Sequence, residues 1–282
     1  MSTRKSLHIG LNYVDPEQYG GWDGELAGCV NDANAMEAVA KERGFTTDKL
    51  LDGEATIEAV RDKLKDAARE LGDGDFFFIT YSGHGGQVPD DGGDEPDGYD
   101  ETWCLYDTEL VDDTLYGALR SFKKGVRIFV MSDSCHSETV TREALRADRE
   151  KRRAFVDERP GHMSKRAPLE FTAKEYAHNL DRYQEQKTWW ATRTTPGLSD
   201  ASVVLISGCE DAQTSMDGPG NGAFTYAFLQ VWKDGAFTGS YRQLRDDVLA
   251  AVDNPDQRPG IFTYGKDVDA MLLQRPLSDD AA

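Results

Sequence analysis

Two apolar segments of strand length each precede a residue that could take part in thiol chemistry. The run DFFFITY at residues 75–81 is followed by His84, and the run VRIFVM at 126–131 is followed by Cys135. A thiol needs a nearby base to become a nucleophilic thiolate at neutral pH, and an imidazole is the usual base. If the two runs are neighbouring strands, His84 and Cys135 lie at the same sheet edge, because reactive groups gather beyond the carboxyl ends of parallel strands.

The residues beside this pair bear on its role. Gly85 and Gly86 follow His84, where they allow a sharp turn, leave space for a substrate and expose backbone N–H groups that could hold an oxyanion. The competing interpretation is structural, since a single cysteine is usually a small buried hydrophobic residue. His136 is a poor candidate for the base, because it directly follows Cys135 and adjacent strand residues point to opposite faces.

Alternating strand and helix patterns predict the framework that positions these residues. Apolar runs of strand length also occur at Leu7 to Val14 and at Ser202 to Ile206, with helical patterns between and after the runs. Such alternation predicts an α/β fold, a sandwich around a mainly parallel sheet. The predicted helices cover Asn31 to Arg43, Ile57 to Leu71, Asp113 to Phe122, Phe224 to Trp232 and Tyr241 to Val252.

The composition limits the class of protein. The chain has 282 residues, with 51 Asp and Glu against 32 Lys and Arg, and a formal charge of −19. A negative surface repels nucleic-acid phosphates and anionic membranes, so neither is an expected partner. The acidic residues are either a solubility coat or, in part, ligands for a positive group.

The cysteines and the N-terminal residues indicate the compartment. Cys29, Cys104, Cys135 and Cys209 form no CxxC pair, which argues against a zinc or disulfide scaffold. The chain does not start like a signal peptide, and no apolar stretch approaches the roughly 18 residues of a membrane span. We therefore expect a cytoplasmic protein with reduced thiols.

Short motifs occur in a fixed order between residues 6 and 265. They lie at 26–33 (LAGCVNDA), 81–87 (YSGHGGQ), 97–101 (DGYDE), 133–137 (DSCHS), 207–211 (SGCED) and 222–225 (GAFT). Together they resemble the metacaspase family, the caspase-like branch of the clan CD cysteine peptidases. The resemblance implies a caspase-like three-layer αβα sandwich. The caspase signature Q-A-C-[RQG]-G is missing, so true caspase behaviour is not implied.

The resemblance assigns the reacting groups. Cys135 would be the nucleophile and His84 the general base and acid of a dyad. The backbone N–H groups of Gly85 and Cys135 would form the oxyanion hole, and the chemistry itself would need no cofactor. No third residue that orients the histidine is evident from the sequence.

The family's pocket for the residue before the cleaved bond, called P1, is also implied. It falls on Cys29, Asp32, Ser82 and Asp133. The resemblance therefore implies an endopeptidase that cleaves proteins or peptides after Arg or Lys, by pairing that cation with carboxylates. The spacing agrees, since Asp133 lies two residues before Cys135, on the same side of an extended segment. Taken alone, Asp32 is also typical of a helix N-cap.

The family resemblance also implies a possible calcium site. Asp100, Asp112 and Asp113 match family positions that supply calcium ligands, and their hard oxygen atoms suit that ion. The family's further aspartate is replaced here by Arg142, a cation that should weaken or abolish such a site. The resemblance thus leaves activation by calcium open. The acidic loop at 90–101 does not fit the EF-hand pattern.

A basic stretch at residues 142–166 interrupts the strand and helix alternation. The resemblance implies one peptidase domain over 1–275, followed by a tail at 276–282. A large-subunit-like part would cover 1–141, an insertion or linker 142–200 and a small-subunit-like part 201–275. A peptidase specific for Arg or Lys could cleave itself between Arg142 and Arg193, although the Arg and Glu mixture also fits a solvated helix or a long loop.

Two other functions stay open at this point. One is a related clan CD peptidase with another P1 preference. The other is a non-catalytic caspase-fold module for protein interaction or calcium sensing, although a module of that kind has no need to retain both His84 and Cys135. Metacaspases that resemble this chain are usually monomers, so we expect a monomer.

Overall fold

The fold can be followed through most of the chain. The computed structural model describes residues 2–90, 98–134, 163–190, 201–209, 215–252 and 257–278. The predicted nucleophile Cys135 lies outside the described residues, as do Arg142, Arg193, most of the basic stretch and the last residues of the tail.

The described residues form the following strands and helices. The strands are β1 (Arg4–Gly10), β2 (Thr46–Leu51), β3 (Phe76–Ser82), β4 (Gly85–Pro89), β5 (Tyr99–Cys104), β6 (Glu109–Val111), β7 (Arg127–Asp133), β8 (Met163–Ser164), β9 (Ser202–Ser207), β10 (Met216–Asp217) and β11 (Gly260–Gly265). The helices are α1 (Cys29–Glu42), α2 (Ile57–Glu70), α3 (Asp112–Arg120), α4 (Leu169–His178), α5 (Leu180–Thr188), α6 (Ala223–Trp232), α7 (Tyr241–Ala251) and α8 (Val268–Leu272).

Six strands form the central sheet, in the order β11-β9-β7-β3-β1-β2. All neighbouring pairs are parallel except β11 and β9, which are antiparallel. The prediction of a mainly parallel sheet is therefore confirmed. β9 and β11 follow the basic stretch in sequence, yet they complete the sheet that the earlier strands begin.

Helices cover both faces of this sheet. In β3, Phe77 and Ile79 face a core built with α2 and α3, whereas Phe76 and Phe78 face a core built with α1, α6, α7 and α8. Successive strand residues point to opposite faces, so a strand that is apolar throughout is stable only between two layers. This confirms the three-layer αβα sandwich.

Several elements were not predicted from periodicity. The expectation of a loop or a partly helical segment concerns the basic stretch at 142–166, and the complete helices α4 and α5 that follow it are not predicted. Their buried residues are largely polar, among them Glu175 and Gln186, so an apolar stripe is missing. The strands β2, β4, β5, β6, β8, β10 and β11 and the helix α8 are not predicted either.

Two small sheets lie beside the central one. β4, β5 and β6 form an antiparallel sheet that begins directly after His84. β8 pairs antiparallel with β10 and thereby connects the end of the basic stretch to the segment before α6. None of the helices described is long and apolar enough to cross a membrane.

Candidate active site

The strands that carry the predicted pair are neighbours. β3 and β7 are parallel, and their register places Ser82 opposite Asp133. The condition set for this pair, that the two apolar runs are neighbouring strands, is thus met, and the runs end at one edge of the sheet. His84 lies two residues beyond Ser82 at this edge, and Cys135, two residues beyond Asp133, is outside the described residues.

His84 is buried, and a backbone carbonyl holds its ring. Its Nε2 lies 3.1 Å from the carbonyl oxygen of Gly24. A carbonyl can only accept, so Nε2 carries the hydrogen and Nδ1 has the lone pair of a base. The ring of Trp22 packs against the imidazole, with centroids 4.7 Å apart. The orienting group is therefore a main-chain atom, which leaves no signal in the residue types.

Gly24 has a geometry that only glycine adopts readily. Its φ is +62°, and an added Cβ would lie 3.1 Å from Val14 and 3.3 Å from the imidazole of His84. The loop after β1 can therefore bring its carbonyl to His84 only because this residue has no side chain.

The four residues of the predicted P1 pocket lie together. Cys29, Asp32, Ser82 and Asp133 are all buried and converge beside β3 and β7. Asp32 is not an N-cap, because α1 starts after Gly28 and the Asp32 carboxylate instead accepts from Ser82 Oγ at 2.7 Å. Burial raises the pKa of the Cys29 thiol, so this residue contributes a neutral wall.

A lysine that was not predicted lies inside this pocket. Lys165 is fully buried, and its Nζ lies 3.1 Å from Asp32 Oδ2 and 3.0 Å from Asp133 Oδ2. It also donates to Ser82 Oγ at 2.8 Å. Burial opposes its charge, but the nearby carboxylates, Asp133 above all, raise the pKa of Lys165 and keep it protonated. The pocket thus holds a lysine of the same chain.

Hydrogen bonds fix both carboxylates. Asp32 Oδ1 accepts from Asn221 Nδ2 at 2.9 Å and from the backbone N–H of Gly222 at 3.0 Å. Asp133 accepts from Ser215 Oγ and, at 2.9 Å, from Thr225 Oγ1. Burial raises the pKa of Asp32, and the charge of Lys165 counteracts it. The GAFT motif at 222–225 therefore takes part in shaping the pocket.

The backbone carbonyl of Lys165 contacts a group that is predicted to form the oxyanion hole. The backbone N–H of Gly85, predicted to hold the oxyanion, donates to the carbonyl oxygen of Lys165 at 2.8 Å. The side chain of Lys165 is thus in the predicted P1 pocket, and its carbonyl is on a predicted oxyanion donor. Among the described residues of the basic stretch, no other has its side chain in this pocket and its carbonyl on the N–H of Gly85.

The described residues contain one group with metal-ligand proximity. Cys29, Asp32 and Asp217 place one ligand atom each within 4.8 Å of one another. Asp217 accepts from the N–H groups of Ala27 and Gly28, where it complements the N-terminus of α1. Metal binding needs a thiolate, whereas burial raises the pKa of Cys29. Lys165 already supplies the cation, so the group does not fit a metal.

The predicted calcium ligands lie at another place, where β5 and β6 meet α3. Asp100 is buried, Asp112 is half-buried and Asp113 is exposed. Burial and the neighbouring charges of Glu101, Asp113 and Asp100 raise the pKa of Asp112 to about 8. The three predicted ligands do not all come within 4.8 Å of one another. Their oxygen atoms suit calcium, and their mutual repulsion is of the kind that a bound cation relieves.

The comparisons with known proteins agree with this arrangement. The caspase domain family, Peptidase C14, matches residues 9–268. Metacaspase-1 of Mycosarcoma maydis is 32% identical over 81% of this chain, and Metacaspase-1B of Aspergillus fumigatus is 29% identical over 96%. The chain spans 62% and 71% of the lengths of these two relatives.

A solved structure extends the comparison to the whole chain. Protein GSU0716 from Geobacter sulfurreducens is 42% identical, and the similarity covers 98% of each chain with a TM-score of 0.83. The matched family region includes β2 to β11, the histidine loop and the pocket residues described above. The chain belongs to the caspase domain family, as the resemblance of its motifs to metacaspases implies.

Proposed function

We propose that this chain is a cysteine endopeptidase that cleaves peptide bonds after Lys or Arg, with Cys135 and His84 as its dyad. The observation that carries the proposal is the burial of a lysine side chain between Asp32 and Asp133. A pocket with two carboxylates and no second cation in the described surroundings recognises a single positive charge. An Arg guanidinium, with its paired donors, can meet the same two carboxylates.

The first half of the reaction forms a thioester. His84 Nδ1 takes the thiol proton of Cys135 as the sulfur attacks the substrate carbonyl carbon. The carbonyl electrons move to the oxygen, which the N–H of Gly85 stabilises. When the C–N bond breaks, His84 gives the proton to the leaving amine. The Gly24 carbonyl supports this exchange, because it keeps the hydrogen on Nε2 throughout.

The second half uses water. His84 takes a proton from a water molecule, whose oxygen attacks the thioester carbon. Collapse of this intermediate breaks the C–S bond and releases the new carboxylic acid, and the proton on His84 returns to the sulfur. Atoms balance with one water consumed for each peptide bond, and the cycle needs no cofactor.

Self-processing is part of the proposal. In the residue before the bond between Lys165 and Arg166, the side chain lies in the P1 pocket. The carbonyl oxygen of the same residue accepts a hydrogen bond from the N–H of Gly85. The uncleaved chain would therefore be latent, since Lys165 occupies the pocket that a substrate must enter. This narrows the self-cleavage predicted between Arg142 and Arg193 to one bond.

A set of peptides that differ only in P1 tests the activity. We expect cleavage after Lys and Arg, and little after Asp or Leu. Cys135→Ala and His84→Ala should each remove the activity, whereas His178→Ala, which changes an exposed histidine, should not. Activity that survives Cys135→Ala would refute the peptidase assignment. Equal cleavage after Asp and Lys would refute the P1 assignment alone.

A further inference from the structure

The stretch at residues 163–167 contacts the site on both sides of Lys165. Before it, β8 pairs with β10, and the N–H of Lys165 donates to the carbonyl of Ser215 at 3.0 Å. After it, the N–H of Ala167 donates to the carbonyl of Gly85 at 2.8 Å. Gly85 thus binds the stretch through both its N–H and its carbonyl. An extended peptide held in this way presents alternate side chains to the protein.

Ala167 occupies a small apolar pocket. Its residue surface is 5% exposed. Ala167 belongs to one apolar cluster with Val14, Tyr19, Cys104 and the partly buried Trp22, and we call the space that it fills in this cluster the Ala167 pocket. Tyr19 and Cys104 have no exposed surface, so these walls cannot move outward without disturbing the packing behind them.

We infer that the Ala167 pocket is a substrate subsite for a small apolar side chain, two residues after the cleaved bond. The inference rests on the proposed function, because it counts residues from Lys165 as P1. Lys165 enters the charged pocket, Ala167 enters the apolar pocket, and Arg166 between them is only partly buried. This alternation is the pattern of an extended substrate.

The walls explain why a small residue is selected. The Tyr19 hydroxyl donates to the carbonyl of Leu105 at 2.9 Å, which fixes that ring. Trp22 stacks on Phe171 at 5.9 Å on one side and lies 4.7 Å from the His84 ring on the other. A larger side chain would push Trp22 against the imidazole, so it would impair catalysis as well as binding. A charged side chain would also lose its water.

Cleavage makes this pocket available. After the Lys165–Arg166 bond is hydrolysed, residues 166 and 167 form a free chain end before Pro168. The helices behind this end stay anchored to the rest of the fold, because the buried Glu175 of α4 accepts from the hydroxyl of Thr108, and Gln186 Nε2 of α5 donates to the carbonyl of Glu109 at 2.9 Å. Residues 166 and 167 therefore have to leave the Ala167 pocket, and the Lys165 side chain has to leave the P1 pocket, before a peptide substrate can occupy both.

Two substrate series separate this inference from the proposed function. Peptidyl-lysine linked to a fluorogenic amine has no residue after the bond, so it tests the dyad and the P1 pocket alone. Quenched peptides of sequence Met-Ser-Lys-Ser-Xaa test the subsite, with Xaa as Ala, Trp or Glu, because Lys is then the one P1 residue that they offer. We expect kcat/KM for Ala to exceed that for Trp and Glu by about tenfold or more. Equal values, with the fluorogenic reporter cleaved, would overturn the subsite but not the activity. An uncleaved reporter would overturn both.

The chain itself provides a second test. Ala167→Glu should displace Lys165 from Gly85 and slow the self-cleavage by about tenfold or more, seen on denaturing gels over time. Ala173→Glu is the matched control, because Ala173 is exposed on α4; it should leave the rate unchanged. Equal rates for Ala167→Glu and the unaltered chain would contradict the inference.

Discussion

At the scale of single residues, Lys165 determines the energetics of the site. Its ammonium group is fully buried between two carboxylates, so its removal leaves two buried like charges together. We expect Lys165→Met, in a Cys135→Ala background that cannot cleave itself, to lower the free energy of unfolding in urea by about 3–5 kcal/mol. The control Lys63→Met breaks an exposed pair with Asp48 and should cost less than about 1 kcal/mol. Equal losses would contradict the charge pairing.

Gly24 gives a second prediction at this scale. Gly24→Ala should lower kcat by about 10- to 100-fold with little change in KM. The new methyl group would lie 3.3 Å from the imidazole of His84 and would push the ring away from its position on the Gly24 carbonyl. Gly21→Ala is the matched control, since Gly21 also has a positive φ, at +94°, but no atom lies within 4 Å of the added Cβ. Steady-state kinetics check both variants. If both lose kcat equally, backbone strain is the cause and the orienting role fails.

At the scale of elements, α3 begins in a cluster of carboxylates. The pKa of Asp112 is raised to about 8, mainly by burial, whereas in the unfolded chain it stays near 3.9. Between these values the folded state binds more protons, so stability falls as the pH rises from about 4 to 8. We expect Asp112→Asn to raise the Tm at pH 8 and to change it little at pH 4. Because Asp112 is half-buried, solvent screens part of the effect.

The Asp112→Asn variant also tests whether calcium binds in this cluster. If calcium binds among Asp100, Asp112 and Asp113, it replaces the proton that the folded state needs at pH 8. Added calcium should then raise the Tm of the unaltered chain by roughly 2 °C or more, which is the effect of about 1 kcal/mol at this size. Asp112→Asn should lose most of that rise, and magnesium should not replace calcium. Equal rises in both proteins would contradict calcium binding at this place.

Elements differ in how far the sequence could predict them. β3 and β7 are apolar on both faces, so their burial followed from pattern alone, whereas their adjacency was a condition that the sheet order then met. The helices α4 and α5 could not be found in that way, because Glu175 and Gln186 fill their interface in place of leucines. The pocket residues were identified through motif resemblance. Lys165 is one of many basic residues in its stretch, and the pairing of β8 with β10 and the hydrogen bonds with Gly85 place it in the pocket.

At the scale of the whole molecule, the proposed self-cleavage site divides the chain but not the fold. The Lys165–Arg166 bond lies between β8 and α4, and β9 from the second part pairs along its length with β7 from the first. Phe78 and Phe129 of the first part share one core with Phe224 and Phe228 of the second. Buried aromatic side chains contribute strongly to such a shared core. The two fragments should therefore stay together without a covalent bond.

Native mass spectrometry beside a denaturing gel tests this prediction. We expect two fragments on the gel, ending at Lys165 and beginning at Arg166, and one native particle with the mass of the full chain plus one water. The Cys135→Ala variant should give one band and lack the added water. Separation of the fragments in native buffer would contradict the shared core. Cleavage at another bond would contradict the position assigned to Lys165, because only that residue has its side chain between the two pocket carboxylates in the described chain.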